Sequence, residues 1–341
     1  MITMNKKIIV GVLGAGRIGK LHVENMLKLP NIEVKTIADP FIENAEEWGK
    51  ALNIPNLVKE PKKIMNDPEI DVVFICSPTD THIEMIEAAA NAGKNIFCEK
   101  PISFSDEETL HAYEVIKKNN VKAQIGFNRR FDKNFARVED NVSSGKIGDL
   151  HILRITSRDP EPPNLDYVKS SGGMFMDMTI HDFDMARFVS GSEVSEVSVM
   201  GNSLVNPEIS KLGDIDTAII TLKFENGALG VIDNSREAVY GYDQRIEAFG
   251  SKGATEIENE LDTRVKLSTG DSVSEDQPLH FFLERYNDAY VNEVEQFFYA
   301  IRNNEEVPCT FKDGIMAQRI AQAAKESLMS NKPVKVKNIK E

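Results

Sequence analysis

Two kinds of hydrophobic pattern divide this chain. Up to about Gly126, short unbroken apolar runs (8–13, 34–38, 57–58, 72–76, 96–98 and 123–125) alternate with stretches whose apolar residues recur at helical spacing. A run that is apolar on both faces suits a strand buried on both sides. The amphipathic stretches 43–52, 81–92 and 106–119 suit helices, and the last opens with a capping box, Ser105 and Glu108. Such alternation predicts a parallel sheet with helices on both faces and ligands beyond the carboxyl ends of its strands.

From about Phe127 strands dominate: 150–156, 194–200, 217–224, 229–234, 245–249 and 265–267. Asn226-Gly227 between two of them predicts a type I′ hairpin turn. This pattern predicts an open, largely antiparallel sheet with one face free to bury against another subunit. The segment Arg158-Asp159-Pro160-Glu161-Pro162-Pro163 is too proline-rich to continue a central strand. Ser170-Ser171-Gly172-Gly173 leads into a helix predicted over 174–189. Helices over 286–303 and 312–329 and a strand-like tail over 334–337 complete the chain. The fold class is α/β, with one domain over 1–126 and a second α/β domain over 127–341.

Bulk properties narrow the partners. A chain of 341 residues suffices for two domains, and a net charge of -14 disfavours nucleic acid or an anionic membrane. No apolar run approaches the ~20 residues of a membrane span, and no leader-like stretch precedes the first strand. Three cysteines cannot all pair, and Cys76 and Cys98 each end an apolar run. They read as reduced core thiols in the cytoplasm.

The first strand ends in Gly14-Ala15-Gly16-Arg17-Ile18-Gly19. In a G-x-G-x-x-G of this kind Gly14 permits the turn, Gly16 admits a pyrophosphate, and Gly19 lets the helix pack on its strand. The alternative is a purely structural turn. Backbone donors of Gly14, Gly16, Arg17 and Ile18 would surround the phosphates at a positive helix end. Asp39 closes the second strand twenty residues after Gly19, where an acid binds an adenosine ribose. A carboxylate there repels a 2′-phosphate, and Pro40-Phe41-Ile42 offers no cation to offset it. The dinucleotide-binding domain is therefore of Rossmann type and the expected cofactor is NAD, unless Lys35 or Lys50 reaches the site.

Two further strand ends stand at the ligand edge. Ser77-Pro78-Thr79-Asp80-Thr81-His82 opens the next helix, with His82 either a solvated first-turn residue or part of the cofactor site. Glu99-Lys100-Pro101 is either an exposed salt-bridge pair before a turn or a pair of site residues. Asp177 and His181 are four apart, on one face of the predicted 174–189 helix. They read either as a core histidine satisfied by an acid or as a proton acceptor oriented by a carboxylate. The acids at 177, 182 and 184 lack a second histidine, so no metal site is expected. Oxidation of an alcohol beside a nicotinamide needs a base, an orienting group and a donor to the oxygen. His181, Asp177 and Lys100 could supply them.

Gly14-x-Gly16-x-x-Gly19, Glu99-Lys100-Pro101, Gly126-Phe127-Asn128-Arg129-Arg130 and Asp177-x-x-x-His181 resemble, in that order, the Gfo/Idh/MocA oxidoreductases. Ser157-Arg158-Asp159-Pro160 and Tyr240-Gly241-Tyr242-Asp243-Gln244-Arg245 further resemble its inositol-oxidising branch. The resemblance implies a catalytic lysine, aspartate and histidine, falling on Lys100, Asp177 and His181. It implies cofactor contacts at Ser77, Pro78, Thr79, His82 and Glu99. Polyol contacts fall on Arg130, Asp159 and Tyr240, besides the catalytic three. It also implies pairing of open sheets into a homo-oligomer, commonly a tetramer. The expected reaction is NAD-dependent oxidation of myo-inositol at C2. Its alternatives are a scyllo-inositol or sugar dehydrogenase, an NAD-dependent glycosidase, and a non-catalytic NAD sensor.

Overall fold

In the computed structural model, which describes residues 7–339, the glycine-rich stretch leaves strand β1 (Ile8–Leu13). β1 is joined by β2 (Ile32–Ala38), β3 (Asn56–Val58), β4 (Val72–Ile75), β5 (Asn95–Glu99) and β6 (Ala123–Gly126). The strand order is β3-β2-β1-β4-β5-β6 and every neighbouring pair is parallel. Order reverses between β1 and β4, the switch point at which such sheets bind ligands. Each predicted run in this half lies on one of these strands. The reading of the N-terminus as leaderless falls on residues outside the described ones.

The chain divides into two units, but not at a single cut. The first runs to Asn128 and also takes Asp288–Ile315. The reason is apolar burial. Helix Asn287–Asn303 supplies Val294, Phe297, Phe298 and Ile301 to the core that holds Val10, Val12, Phe74 and Phe97. Phe74 and Phe97 stack at 4.5 Å, with Phe297 and Phe298 against them. Ile125 then donates its N–H to the Cys309 carbonyl, continuing the ladder beyond β6. A boundary placed at 126/127 misses this return.

The second unit takes Arg129–Asn287 and the chain from Met316. Its sheet is built from β7 (Leu150–Arg158), β8 (Val194–Asn202), β9 (Thr217–Phe224), β10 (Leu229–Ser235), β11 (Asp243–Gly250) and β12 (Gly253–Ile257). The tail strand, Val334–Lys335, pairs with β8 at one edge. From the opposite edge the order is β12-β11-β7-β10-β9-β8 and then the tail. Only β7 and β10 run parallel, so the sheet is largely antiparallel. One face is buried (Ile155, Ile220, Leu222, Ile232, Ile246), whereas Ile152, Ile219, Leu229 and Phe249 are exposed on the other.

Three local expectations are corrected. The stretch 265–267 does not join this sheet; Lys266–Ser268 pairs only with Val273–Glu275 in a small hairpin. The Asn226-Gly227 turn is not type I′, because only Gly227 has positive φ (+90°) where that turn needs two such residues. The predicted 174–189 helix is broken into Met174–Asp177 and Ile180–Ser190. Thr179 N–H reaches back five residues to the Met174 carbonyl, widening the turn, while the Thr179 hydroxyl donates to Asn234 Oδ1 at 2.7 Å.

Candidate active site

In the first unit the nucleotide-binding elements gather at the ends of β1, β2, β4 and β5. Gly14 has φ +97°, and a Cβ there would lie 2.6 Å from the Cys76 carbonyl oxygen. A Cβ at Gly19 would lie 2.0 Å from the Gly14 oxygen, so helix Arg17–Met26 packs directly on the turn. Around Gly16 a Cβ would meet nothing within 4 Å. These are the three conditions a dinucleotide cradle requires: a tight turn, a close helix and an open approach to the backbone. The residues present therefore fit NAD.

Asp39 follows β2 at the same edge. Its carboxylate accepts the Ala15 N–H at 2.7 Å and the Phe41 N–H at 2.8 Å, which pins it against the glycine turn. The two lysines that could have favoured a 2′-phosphate are engaged elsewhere. Lys35 pairs with Asp67 and Glu69, at 2.6 and 2.5 Å, and Lys50 pairs with Glu46 at 2.5 Å.

His82 is not a solvated first-turn residue: it is 1% exposed. Its ring nitrogens lie 2.9 Å from the Ser77 and Pro101 carbonyl oxygens, tying the β4 turn to the turn after β5. Burial lowers its pKa, opposed by the two carbonyls, which favour the charged ring. The Lys100-Pro101 bond is cis. Glu99 is not an exposed partner for a neighbouring lysine either. It accepts a hydrogen bond at 2.7 Å from Nε2 of His22, which is fully buried among Phe74, Phe97 and Tyr290. Of the expected Ser105/Glu108 box only half forms. Ser105 Oγ accepts the Glu108 N–H, while the Glu108 carboxylate turns to Ser103 Oγ.

The second unit holds Asp177 and His181, on either side of its helix break. Asp214 accepts the Met174 N–H at 3.0 and 3.1 Å and caps the first piece, against Gly173 at φ +87°. Both carboxylate oxygens of Asp177 are held: Tyr167 Oη donates to Oδ1 at 2.8 Å, and Arg236 Nη1 to Oδ2 at 3.0 Å. Arg236 is 2% exposed. Burial works against its charge, yet Asp177 and Asp159 keep its pKa above the usual guanidinium value. Asp159 is located by two backbone bonds, its N–H to Ser235 O and its carbonyl to Ala238 N–H. Burial, with Asp177 and Asp182 nearby, pushes its carboxyl up to about 6 against the pull of Arg236 and Arg129.

His181 is not a core residue; it is partly exposed in the first turn of helix Ile180–Ser190. The next residue, Asp182, is fully buried and anchors that turn. It accepts from Arg129 Nη1 at 2.6 Å and from Asn234 Nδ2 at 2.9 Å. Register places Asn234 of β10 beside Ser157 of β7, and Ser157 beside Gln244 of β11, so a polar row underlies the helix start.

Two of the three residues expected to surround a polyol, Arg130 and Tyr240, have firm partners inside this unit. Arg130 forms a bidentate pair with Asp184, at 2.8 and 2.7 Å, and lies over the Phe188 ring. Tyr240 Oη donates to Asp243 Oδ2 at 2.6 Å and accepts from Arg158 Nη1 at 3.0 Å. Tyr167, Arg236, Asp182 and Asn234 escaped the sequence reading. Arg236 follows a strand without a motif, and Tyr167 lies in an aperiodic stretch. Among the described residues no cluster of three or more His, Cys, Asp or Glu could hold a metal, and no helix is long and apolar enough to cross a membrane.

The glycine cradle, the acid pinned at the end of β2 and the parallel sheet fit an NAD-binding protein, and the family models make it an oxidoreductase. Residues 8–127 match the model of an oxidoreductase family with an NAD-binding Rossmann fold, and 135–256 match the Gfo/Idh/MocA C-terminal domain. The chain belongs to the Gfo/Idh/MocA family. It is 53% identical to an uncharacterized oxidoreductase, YrbE, of Bacillus subtilis, over 98% of both chains. It is 46% identical to a myo-inositol 2-dehydrogenase of Thermotoga maritima, over 97% of this chain and 99% of that one. A crystal structure of a Lactobacillus casei scyllo-inositol dehydrogenase, with bound NAD(H) and scyllo-inositol, superposes with a TM-score of 0.90. It is 32% identical, covering 97% of this chain and 99% of that one.

Proposed function

We propose that this oxidoreductase oxidises a cyclic polyol, myo-inositol at C2, to 2-keto-myo-inositol (scyllo-inosose) with formation of NADH. The observation that carries the reading is Asp177, gripped on both oxygens four residues before the accessible His181. The 46% identity to a myo-inositol 2-dehydrogenase along nearly the whole chain supports it.

In this reading the Gly14, Gly16, Arg17 and Ile18 backbone faces the phosphates and Asp39 the adenosine ribose. Ser77, Pro78, Thr79 and Glu99 serve the nicotinamide half, and His82 holds their two turns together. When bound, NAD supplies the hydride acceptor. His181 takes the proton of the hydroxyl being oxidised, as a general base near neutral pH can. Lys100 donates to that oxygen and stabilises charge as it develops. Asp177 orients substrate and imidazole. Arg130, Asp159 and Tyr240 shape the surrounding polyol shell, the first and last from within their ion-pair networks.

A second reading, scyllo-inositol oxidation, is favoured by the similarity to the scyllo-inositol dehydrogenase. A panel of inositol isomers and aldoses, followed by NADH absorbance, decides. We expect myo-inositol to give the highest kcat/KM; turnover confined to scyllo-inositol or an aldose replaces that assignment, and no activity on any inositol ends it. Self-association into a tetramer through the open face of the second sheet is part of the proposal, supported by exposed Ile219, Leu229 and Phe249. Three free cysteines, two with thiol pKa raised by burial, support a reducing compartment such as the cytoplasm.

A further inference from the structure

We infer that Tyr167 and Arg236 are the positioning residues for the Asp177 carboxylate, with Tyr167 setting its orientation and Arg236 holding its charge. The inference rests on the reading of Asp177 as part of the reaction centre.

A lone carboxylate on a four-residue helix is poorly fixed, since its two side-chain torsions turn the oxygens through several orientations. Here each oxygen has its own donor, from a different element. Tyr167 lies on helix Leu165–Ser170, and Arg236 immediately follows β10. Two donors on opposite oxygens define the plane of the group, which a single bond could not do. A carboxylate accepts up to about four hydrogen bonds. The two grips therefore leave the chemistry of accepting a substrate hydroxyl compatible with the same group.

The two donors differ in kind. Arg236 is buried, and its backbone N–H is fixed to the Asp216 carbonyl at 2.8 Å. Asp159 is bonded through its backbone to Ser235 and Ala238, which bracket Arg236, and its carboxylate helps hold the guanidinium charged. A permanently charged side chain between two acids keeps both from being buried uncompensated. Tyr167 is 47% exposed and carries no charge, so its hydroxyl steers Asp177 without being needed to keep it ionised.

The test uses the full chain with NAD and myo-inositol. Y167F deletes one hydroxyl from a half-exposed ring, so folding is not at issue. It should lower kcat by roughly 3- to 10-fold, the size of one ordinary net hydrogen bond, and leave NAD affinity within 2-fold. R236Q should lower kcat by about 100-fold or more, and R236K should recover at least a tenth of wild-type kcat. A merely structural role would move thermal stability without this split. Each substitution is then repeated in a D177N background, with single-turnover NADH fluorescence to reach low rates. If the two residues act through Asp177, their effects shrink toward unity there. Should D177N keep wild-type kcat, Asp177 itself is misread. Should D177N be impaired while Y167F lowers the rate by the same factor in both backgrounds, or not at all in either, only the present inference falls. If R236Q does not fold, the Y167F cycle decides alone.

Discussion

The Arg129 guanidinium meets the Asp182 carboxylate at 2.6 Å with both side chains shielded from water, one residue beyond His181. The pair joins the start of the second unit to the helix that presents the histidine. Its geometry supplies the first prediction. D182A leaves a buried cation without its partner and should cost about 3–5 kcal/mol. Urea unfolding of D182A against wild type measures it; a cost under ~1 kcal/mol would show that the pair is solvated after all.

Removing the chemistry should leave cofactor binding standing. K100A and H181A are each expected to reduce kcat by at least 100-fold, the usual scale for an electrostatic stabiliser or a general base. Isothermal titration should find NAD affinity within a few-fold of wild type. Wild-type turnover in both variants would remove the two residues from the mechanism, whereas NAD binding with no turnover even in the wild type would favour an NAD sensor.

Two glycines two positions apart, Gly14 and Gly16, should separate fold from ligand. G14A forces a side chain onto φ +97° and into the Cys76 backbone, so it should lose about 1–3 kcal/mol of stability. G16A meets open space and should keep its melting temperature within a few degrees, while weakening NAD at least 10-fold. Thermal melts with and without NAD distinguish them; equal stability loss in both would contradict this assignment.

Asp39 is expected to set the choice between NAD and NADP. D39A removes a charged acceptor worth roughly 1.5–3 kcal/mol, or about 10- to 100-fold in KM for NAD. It should also narrow the preference against NADP, since the repulsion of a 2′-phosphate goes with the charge. Steady-state kinetics with both nucleotides checks the ratio, and an unchanged ratio counts against the role.

Asp159 gives a pH dependence of definite sign. Its folded-state value, about 6, lies above its ordinary 3.8, so between those values the folded protein binds more protons than the unfolded chain. Stability from this group is therefore full below about pH 4 and is lost as pH rises through about 6. The shift corresponds to roughly 2–3 kcal/mol at pH 7. D159N should be relatively more stable than wild type at pH 7.5 than at pH 4.5, as read from urea midpoints at both pH values. The opposite trend would mean that Arg236 dominates and holds the carboxyl low.

Where the sequence alone succeeded, the signal was local. Runs such as Val72–Ile75 and the capped helix Asp106–Asn119 declare themselves because burial on both faces or a serine cap is written within a few residues. The helix break at Met178-Thr179 is not written there. Its residues read as one continuous helix, and the interruption accompanies Asp214 capping from forty residues away and Asn234 bonding from fifty-five. Glu99 and Asp177 were legible as candidates, the first through the family resemblance and the second through its spacing to His181. Their supports were not, because His22, Tyr167 and Arg236 come to them only through the folded topology. The turn at Asn226-Gly227 failed for a smaller reason: the dipeptide permits two positive φ values, and the loop uses one.

The return of residues 288–315 to the nucleotide-binding unit bears on how the polypeptide is made. The aromatic layer over Phe74 and Phe97 is completed by Phe297 and Phe298, which leave the ribosome long after them. The nascent nucleotide-binding strands must wait, with those two rings unshielded, until the second unit's sheet has been translated. The cofactor-binding unit thus completes its core only after a stretch of chain that belongs to the other unit has been synthesised.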